Sequence, residues 1–214
     1  MSLTLYGYHY SVYCWTVRLV LAEKSIADAR WIEINPFSDN AAATNPHPFN
    51  RVPFCVEGDL ELFETRAITQ YLDDRYPIQG ALQSTNATAR ARMQQLLSIT
   101  DNYVYPALVR GVFEQEIVVP KWGLPAQPGV LQQALTESAQ VLTILEGLVA
   151  GANLVSEDRV TLADLQLVPM IDYFSQAPSG ATMLRDFPKL DAWWRHWRQR
   201  PSVRATDPGP LPGS

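Results

Sequence analysis

Cysteine and histidine are scarce in this chain, with two and three among 214 residues. Cys14 and Cys55 stand alone, with no metal-type spacing, so no metal is expected and both read as reduced thiols of a cytosolic protein. Long apolar runs are missing too. None approaches the roughly 20 residues that a membrane span needs. The first residues carry neither a basic flank nor an apolar signal stretch, which argues against secretion. Positive charge is in deficit: Lys and Arg number 17, Asp and Glu 22, for a net −5. With no basic cluster, neither nucleic acid nor an anionic membrane surface is expected as the main partner. Internal repeats are absent, and low complexity begins only in the Pro/Gly tail.

What is present is an ordinary globular composition, 47% apolar, long enough for one large or two small domains. The chain has six tryptophans. Those of Trp193-Trp194-Arg195-His196-Trp197 read as a packing cluster.

The first third changes period often. Leu3 to Tyr6 alternates as a strand and ends at Gly7. Tyr8-His9-Tyr10-Ser11 is a loop, and Val12 to Lys24 is helical, with Val17, Val20 and Leu21 on one face and Arg18 and Glu23-Lys24 on the wet side. Ala29 to Ile34 is a second strand, closed by Asn35-Pro36, and Ser38 to Asn45 is a loop with a weak helix. Two more strands follow, Phe54–Val56 and Leu60–Phe63, joined by a Gly-containing turn at Glu57-Gly58-Asp59. A helix then runs to Tyr76 and stops at Pro77. The order β-α-β-α-β-β-α is that of an α/β thioredoxin-like domain, 1–78.

After a linker, 79–86, no strand pattern recurs, and 87–203 reads as an all-α helical bundle. Ala87 to about Ile117 is one long helix, kinked at Pro106. Val130 to Val149 is another. Ser156-Glu157-Asp158-Arg159 is polar and exposed. Thr161 and Asp164 then form a capping box, with Val160 and Leu165 as its hydrophobic staple, opening a helix apolar nearly all round. Such a helix belongs at the centre of a bundle. Phe187-Pro188 to Arg200 is the last helix, and the tail, 204–214, is expected to be disordered.

The chemistry gathers around Arg51-Val52-Pro53 and Glu64-Thr65. Proline at the head of an apolar run gives up a backbone donor, so it suits a strand's first residue. The residue before it is held extended. With a cis bond here, Val52 presents its N–H and C=O sideways, open to a peptide-like ligand. Thr65 can cap the following helix, whose free N–H groups together with Glu64 suit the zwitterionic end of an amino acid. Ser11-Val12-Tyr13-Cys14 opens the first helix with a hydroxyl where dithiol oxidoreductases place their attacking thiol, which disfavours disulfide exchange.

Asn45-Pro46, Arg51-Val52-Pro53 and Glu64-Thr65-Arg66-Ala67-Ile68 resemble the glutathione site of the cytosolic glutathione S-transferases. The Thr161–Asp164 box, Phe187-Pro188-Lys189-Leu190 with Trp193, and Arg200-Pro201-Ser202-Val203 resemble the same family's helical domain. Tyr6-Gly7-Tyr8-His9-Tyr10-Ser11 with Trp15-Thr16-Val17-Arg18 is similar to its serine-type classes, phi, theta and zeta. The resemblance implies that glutathione is the co-substrate and that the Ser11 hydroxyl donates to its sulfur. It implies that Val52 and Pro53 hold the cysteinyl backbone, Glu64 and Thr65 the γ-glutamyl end, and Arg51 the glycyl carboxylate. A hydrophobic electrophile is the second substrate, in a pocket lined by the Tyr8–Tyr13 loop and Tyr103, Tyr105, Arg110 and Phe113. A cytoplasmic homodimer serving detoxification is the family's pattern, and in several classes an acid placed like Asp101 reaches across the dimer, the other reading of Asp101 being an ordinary exposed carboxylate.

Several alternatives stay open. Ser11 can be a plain N-cap, and Tyr10 is a rival donor. Cys14 and Cys55 read as buried, while His9 and His47 read as loop residues, His47 facing solvent or, on the resemblance, the glycine end of glutathione. Glutathione-dependent isomerase, peroxidase or lyase chemistry is a second reading. A non-catalytic interaction module is a third.

Overall fold

The computed structural model describes residues 2–38, 41–77, 80–149, 151, 154 and 159–211. The start of the expected linker at Gln79 and the polar stretch 156–158 lie outside the described residues. The chain divides into two compact units. One runs to Leu82 and takes in Pro201–Leu211; the other comprises Gln83–Arg200.

The first unit is α/β and thioredoxin-like. Its elements are β1 (Leu3–Gly7), α1 (Val12–Glu23), β2 (Arg30–Glu33), α2 (Ala41–Thr44), β3 (Phe54–Glu57), β4 (Leu60–Phe63) and α3 (Thr65–Arg75). The four strands form one mixed sheet in the order β2-β1-β3-β4, with β1 parallel to β2 and antiparallel to β3, and β3 antiparallel to β4. Alternation buries Leu3 and Leu5, and a positive φ at Gly58 makes the β3–β4 turn. Helices α1 and α3 pack together, closing a core in which Leu5, Val17, Leu19, Val20, Ile68 and Leu72 have no exposed surface. Each such side chain contributes roughly 1.5–3 kcal/mol of burial.

Two expectations are corrected here. Lys24 is not on the wet side. Its ammonium is buried, donating to Asp73 Oδ1 (2.9 Å) and to the Gly80 carbonyl (2.6 Å). Helical phase alone puts this charge at the end of α1 in water, yet chain beyond that helix covers it with the Asp73 carboxylate. The tail is also ordered at its start. Helix α10 (Pro201–Thr206) lies on α1, burying Val203. Thr206 Oγ1 accepts the Trp15 indole N–H at 2.9 Å, and the Ser202 hydroxyl donates to Glu23. Trp15 is 1% exposed, and a buried indole N–H needs such an acceptor.

The second unit is all-α: α4 (Ala87–Ile99), a wide-turned π-type stretch (Thr100–Val118), α5 (Val119–Lys121), α6 (Pro128–Leu148), α7 (Leu162–Gln176), α8 (Pro178–Leu184) and α9 (Pro188–Trp197). The expected long helix thus continues past Ile117, but with changed hydrogen bonding from Thr100. Pro106 lacks an N–H, so the ordinary ladder cannot pass through that turn. Helix α7 is buried from Leu162 to Ile171, as its all-round apolar pattern requires. Asp164 anchors its start, accepting from Thr161 N (2.9 Å), Thr161 Oγ1 (2.8 Å) and Leu154 N (2.7 Å). Trp193, Trp194 and Trp197 are all buried in this unit.

Candidate functional site

Strand register brings the distant sequence pieces together. Tyr6, Phe54 and Phe63 form one row across β1, β3 and β4. One residue beyond that row lie Gly7, Pro53 and Glu64. The end of β1, the entry to β3 and the exit from β4 therefore share one end of the sheet. Helices α1 and α3 both begin there, so two sets of unsatisfied N–H groups face the same region.

Ser11 is reached by a tight turn from β1. Its N–H donates to the Tyr8 carbonyl (3.0 Å), its own carbonyl accepts from Trp15 N (2.8 Å), and its φ of −78° and ψ of 126° are extended. It is the N-cap of α1: Oγ accepts from Cys14 N at 3.3 Å. That bond uses a lone pair. The half-exposed hydroxyl also lies against the Cys14 thiol, whose pKa it lowers, so Ser11 caps a helix with an O–H that a ligand draws away from Cys14. The rival Tyr10 sits in the same turn, its ring edge-on to Tyr8 at 5.6 Å. Burial, then the charges of Tyr10 and Glu33, pushes the Tyr8 phenol up.

Cys14 cannot serve as a nucleophile. It has no exposed surface, and burial pushes its thiol up to about 12, against lowering by hydrogen bonds and Arg18. Cys55 is likewise core, pushed to about 11 by burial.

The Val52–Pro53 bond is cis. Among the described residues no hydrogen bond engages the Val52 N–H or C=O, which leaves this half-buried peptide edge open. A ladder of side-chain bonds leads up to it. Asn45 Nδ2 donates to the Arg51 carbonyl (2.9 Å), Asn45 Oδ1 accepts from His47 N (3.0 Å), and His47 Nδ1 accepts from Phe49 N (3.1 Å).

His47 therefore corrects the expectation of a solvent-facing ring. It is 3% exposed, its ring 5.2 Å from that of Phe63 and 6.4 Å from that of Phe54. The loop needs its ring nitrogen as a backbone acceptor, and the aromatic side chains at the sheet end enclose it. Burial lowers its pKa, opposed by the charge of Glu64 and aided by that of Arg51. Both of those proposed ligand-binding residues are thus within electrostatic reach of one buried imidazole, and Arg51 itself is exposed.

Glu64, not Thr65, occupies the cap position of α3. Thr65 is the helix's first residue, 7% exposed. Glu64 has φ 71° and ψ 120°, with no side-chain cap bond, although its carbonyl accepts from Ile68 N. A non-glycine residue held there costs about 1–3 kcal/mol and persists only when its surroundings impose it. The carboxylate is exposed and makes no cap bond to its own helix.

One other expected group behaves differently. Phe113 is 2% exposed and packs on Tyr173 with ring centroids 4.5 Å apart, so it is core of the second unit rather than an open pocket wall. Asp101 accepts from Gln166 Nε2 at 2.6 Å. Sequence reasoning missed the residues that brace the Ser11 turn, Arg18 and Glu33. The available signal was spacing: Arg18 lies seven residues after Ser11, two helical turns on. Among the described residues no group of His, Cys, Asp or Glu could hold a metal, and no helix is long and apolar enough to cross a membrane.

Comparison with known proteins gives one consistent result. A family model for the glutathione S-transferase N-terminal domain matches residues 5–85, and one for the C-terminal domain matches 97–201. Glutathione S-transferase F13 of Arabidopsis thaliana is 29% identical over 213 residues, covering 98% of this chain and 96% of its own. Glutathione S-transferase 1 of Triticum aestivum is 30% identical over 165 residues, covering 74% and 72%. A structure of glutathione S-transferase I from maize, in complex with an atrazine glutathione conjugate, superposes with a TM-score of 0.80 at 27% identity, covering 96% of each chain.

Proposed function

The chain belongs to the glutathione S-transferase family and is a glutathione transferase, and from that premise we propose that Ser11 supplies the hydrogen bond that keeps the glutathione sulfur ionised. The supporting observation is its place: a half-exposed hydroxyl at the helix N-terminus whose Oγ takes the Cys14 N–H at 3.3 Å with a lone pair, so its proton can turn to a ligand. A free thiol titrates near ~8.5, so a thiolate at neutral pH requires a drop of about two units, or ~2.7 kcal/mol. A hydrogen bond to a charged group contributes roughly 1.5–3 kcal/mol. The N-terminus of α1 adds about 0.3–2. The two suffice without a general base.

Glutathione binds along the first unit's sheet end in this reading. Its cysteinyl main chain pairs with the open Val52 peptide beside Pro53. Its γ-glutamyl group meets the Glu64 carboxylate and the N–H groups that begin at Thr65, and its glycyl carboxylate meets Arg51. The thiol proton leaves to solvent. The sulfur then forms a bond to an electrophilic carbon while the leaving group departs with its electron pair, so no covalent enzyme intermediate arises.

A hydrophobic electrophile, such as an aromatic halide, is the second substrate. The atrazine conjugate held by the maize relative supports that class. The F-series relatives favour phi among the serine-type classes. Two buried free thiols suit a reducing cytoplasm. A homodimeric, detoxifying transferase completes the proposal on the family pattern.

Steady-state conjugation of an aromatic halide by Ser11→Ala tests the assignment. Loss of a hydrogen bond to a charged sulfur lowers turnover by roughly 10- to 150-fold. Glutathione affinity stays within about a factor of two. Unchanged turnover would remove Ser11 from the chemistry.

A further inference from the structure

Between β1 and Ser11 the chain turns on two residues, His9 and Tyr10. The backbone of His9 is gripped on both sides. Its N–H donates to Glu33 Oε1 at 2.8 Å, and its carbonyl accepts from Arg18 Nη2 at 2.8 Å. The other Arg18 nitrogen, Nη1, reaches His9 Nδ1 at 3.2 Å. One side chain comes from α1 and the other from the end of β2, so two elements hold one short turn. Both are in turn held by Trp31. Its indole N–H donates to Glu33 Oε2 at 2.8 Å, and its ring lies 5.9 Å from the Arg18 guanidinium carbon. Trp31 needs a bare strand to lie on, and Gly7 provides it: a Cβ there would come within 2.4 Å of the indole.

We infer that Arg18 and Glu33 are positioning residues for the reaction, fixing the Tyr8–Ser11 turn so that the Ser11 hydroxyl is aimed at the sulfur. This rests on Ser11 being the thiolate donor. A serine on a free turn would still cap α1, because the Cys14 N–H attracts its oxygen whatever the preceding loop does. The direction of its O–H, however, depends on where the loop places its Cα. Misplacement by about 1 Å can cost up to 10²-fold in rate. Neither side chain need touch glutathione. Arg18 also cannot be exchanged freely for Lys, since one guanidinium serves a carbonyl, a ring nitrogen and an aromatic face at once.

The test is a titration of the bound glutathione thiol, followed by thiolate ultraviolet absorbance, in wild type, Ser11→Ala, Arg18→Gln and the double variant. Arg18→Gln is expected to raise the thiol's pKa by about one, a tenfold loss of thiolate on the acid side. Glutathione affinity should stay within about twofold, since Val52, Glu64 and Thr65 lie on other elements. On the Ser11→Ala background the Arg18 substitution should add nothing, because there is no hydroxyl left to aim. Arg18→Lys should restore only part of the shift. Glu33→Gln, which keeps shape at an exposed position, should move the pKa the same way and covers the case of Arg18→Gln failing to fold. An unmoved pKa in Arg18→Gln, or in Glu33→Gln should the former not fold, overturns the inference while leaving Ser11 intact. An equal rise with and without Ser11 overturns it as well, since the cation would then act on sulfur directly. No shift in Ser11→Ala would instead remove the donor reading, and this inference with it.

Discussion

Glu64 is where stability and ligand binding should separate under mutation. Its φ of 71° with ψ of 120° lies in the positive-φ half of the map, where a Cβ clashes and glycine, lacking one, is the least strained residue. The penalty is about 1–3 kcal/mol. Replacing Glu64 by Ala removes the carboxylate but keeps a Cβ, and hence the strain. Replacing it by Gly removes both, at an entropic cost of roughly 0.5–1 kcal/mol from the freer unfolded chain. The difference isolates the strain: Glu64→Gly should exceed Glu64→Ala in stability by about 1 kcal/mol. For a chain of this length that corresponds to about 2–4 °C in Tm. Both variants should bind glutathione more weakly, by roughly tenfold or more, if the carboxylate holds the γ-glutamyl ammonium. Thermal unfolding of the two ligand-free variants and calorimetric titration with glutathione supply the numbers. Equal Tm values for Gly and Ala would refute the strain argument. Wild-type affinity in either variant would refute the role given to the carboxylate.

Three further outcomes follow from the first unit. Lys24→Met leaves Asp73 charged and buried and should cost about 3–5 kcal/mol in urea denaturation, whereas Lys24→Met with Asp73→Leu should recover most of it. Burial lowers the folded-state pKa of His47. The unfolded chain therefore binds the extra proton first: the His47 contribution is complete above the unfolded value near ~6.5 and is lost as pH falls towards the folded value. Wild type should lose more stability than His47→Gln between pH 7.5 and 5.5, measured by denaturant titration at each pH. Thr206→Val leaves the Trp15 indole N–H without its acceptor and should destabilise by about 1–3 kcal/mol, read from chemical denaturation followed by tryptophan fluorescence.

Local signals made much of this molecule legible. Leu3 and Leu5 alternate, Gly58 permits the hairpin, and Thr161 with Asp164 marks the start of a helix wherever it lies in the fold. The backbone features at the sheet end were legible for the same reason: a proline heading a strand and a serine heading a helix each have few conformations open to them. What escaped reading depends on contacts between distant positions. Lys24 looks exposed until Asp73, 49 residues away, is brought against it. His47 stands between two prolines and looks like surface loop, yet Phe54 and Phe63 close over it only once β3 and β4 are paired. Glu33 meets His9 only because β2 lies parallel to β1, whereas Arg18 reaches it from α1, nine residues on. The Pro/Gly-rich end suggested disorder, but Val203 is buried and Thr206 accepts the Trp15 indole N–H. The π-type stretch has only Pro106 as a local cause, and that accounts for its own turn alone.

A crystal structure with glutathione bound tests the central claim most directly. It should show the cysteinyl main chain paired with both polar groups of Val52, and the sulfur within hydrogen-bonding distance of Ser11 Oγ. A sulfur held by the Tyr10 hydroxyl, or a tripeptide lying away from the cis peptide, would contradict it.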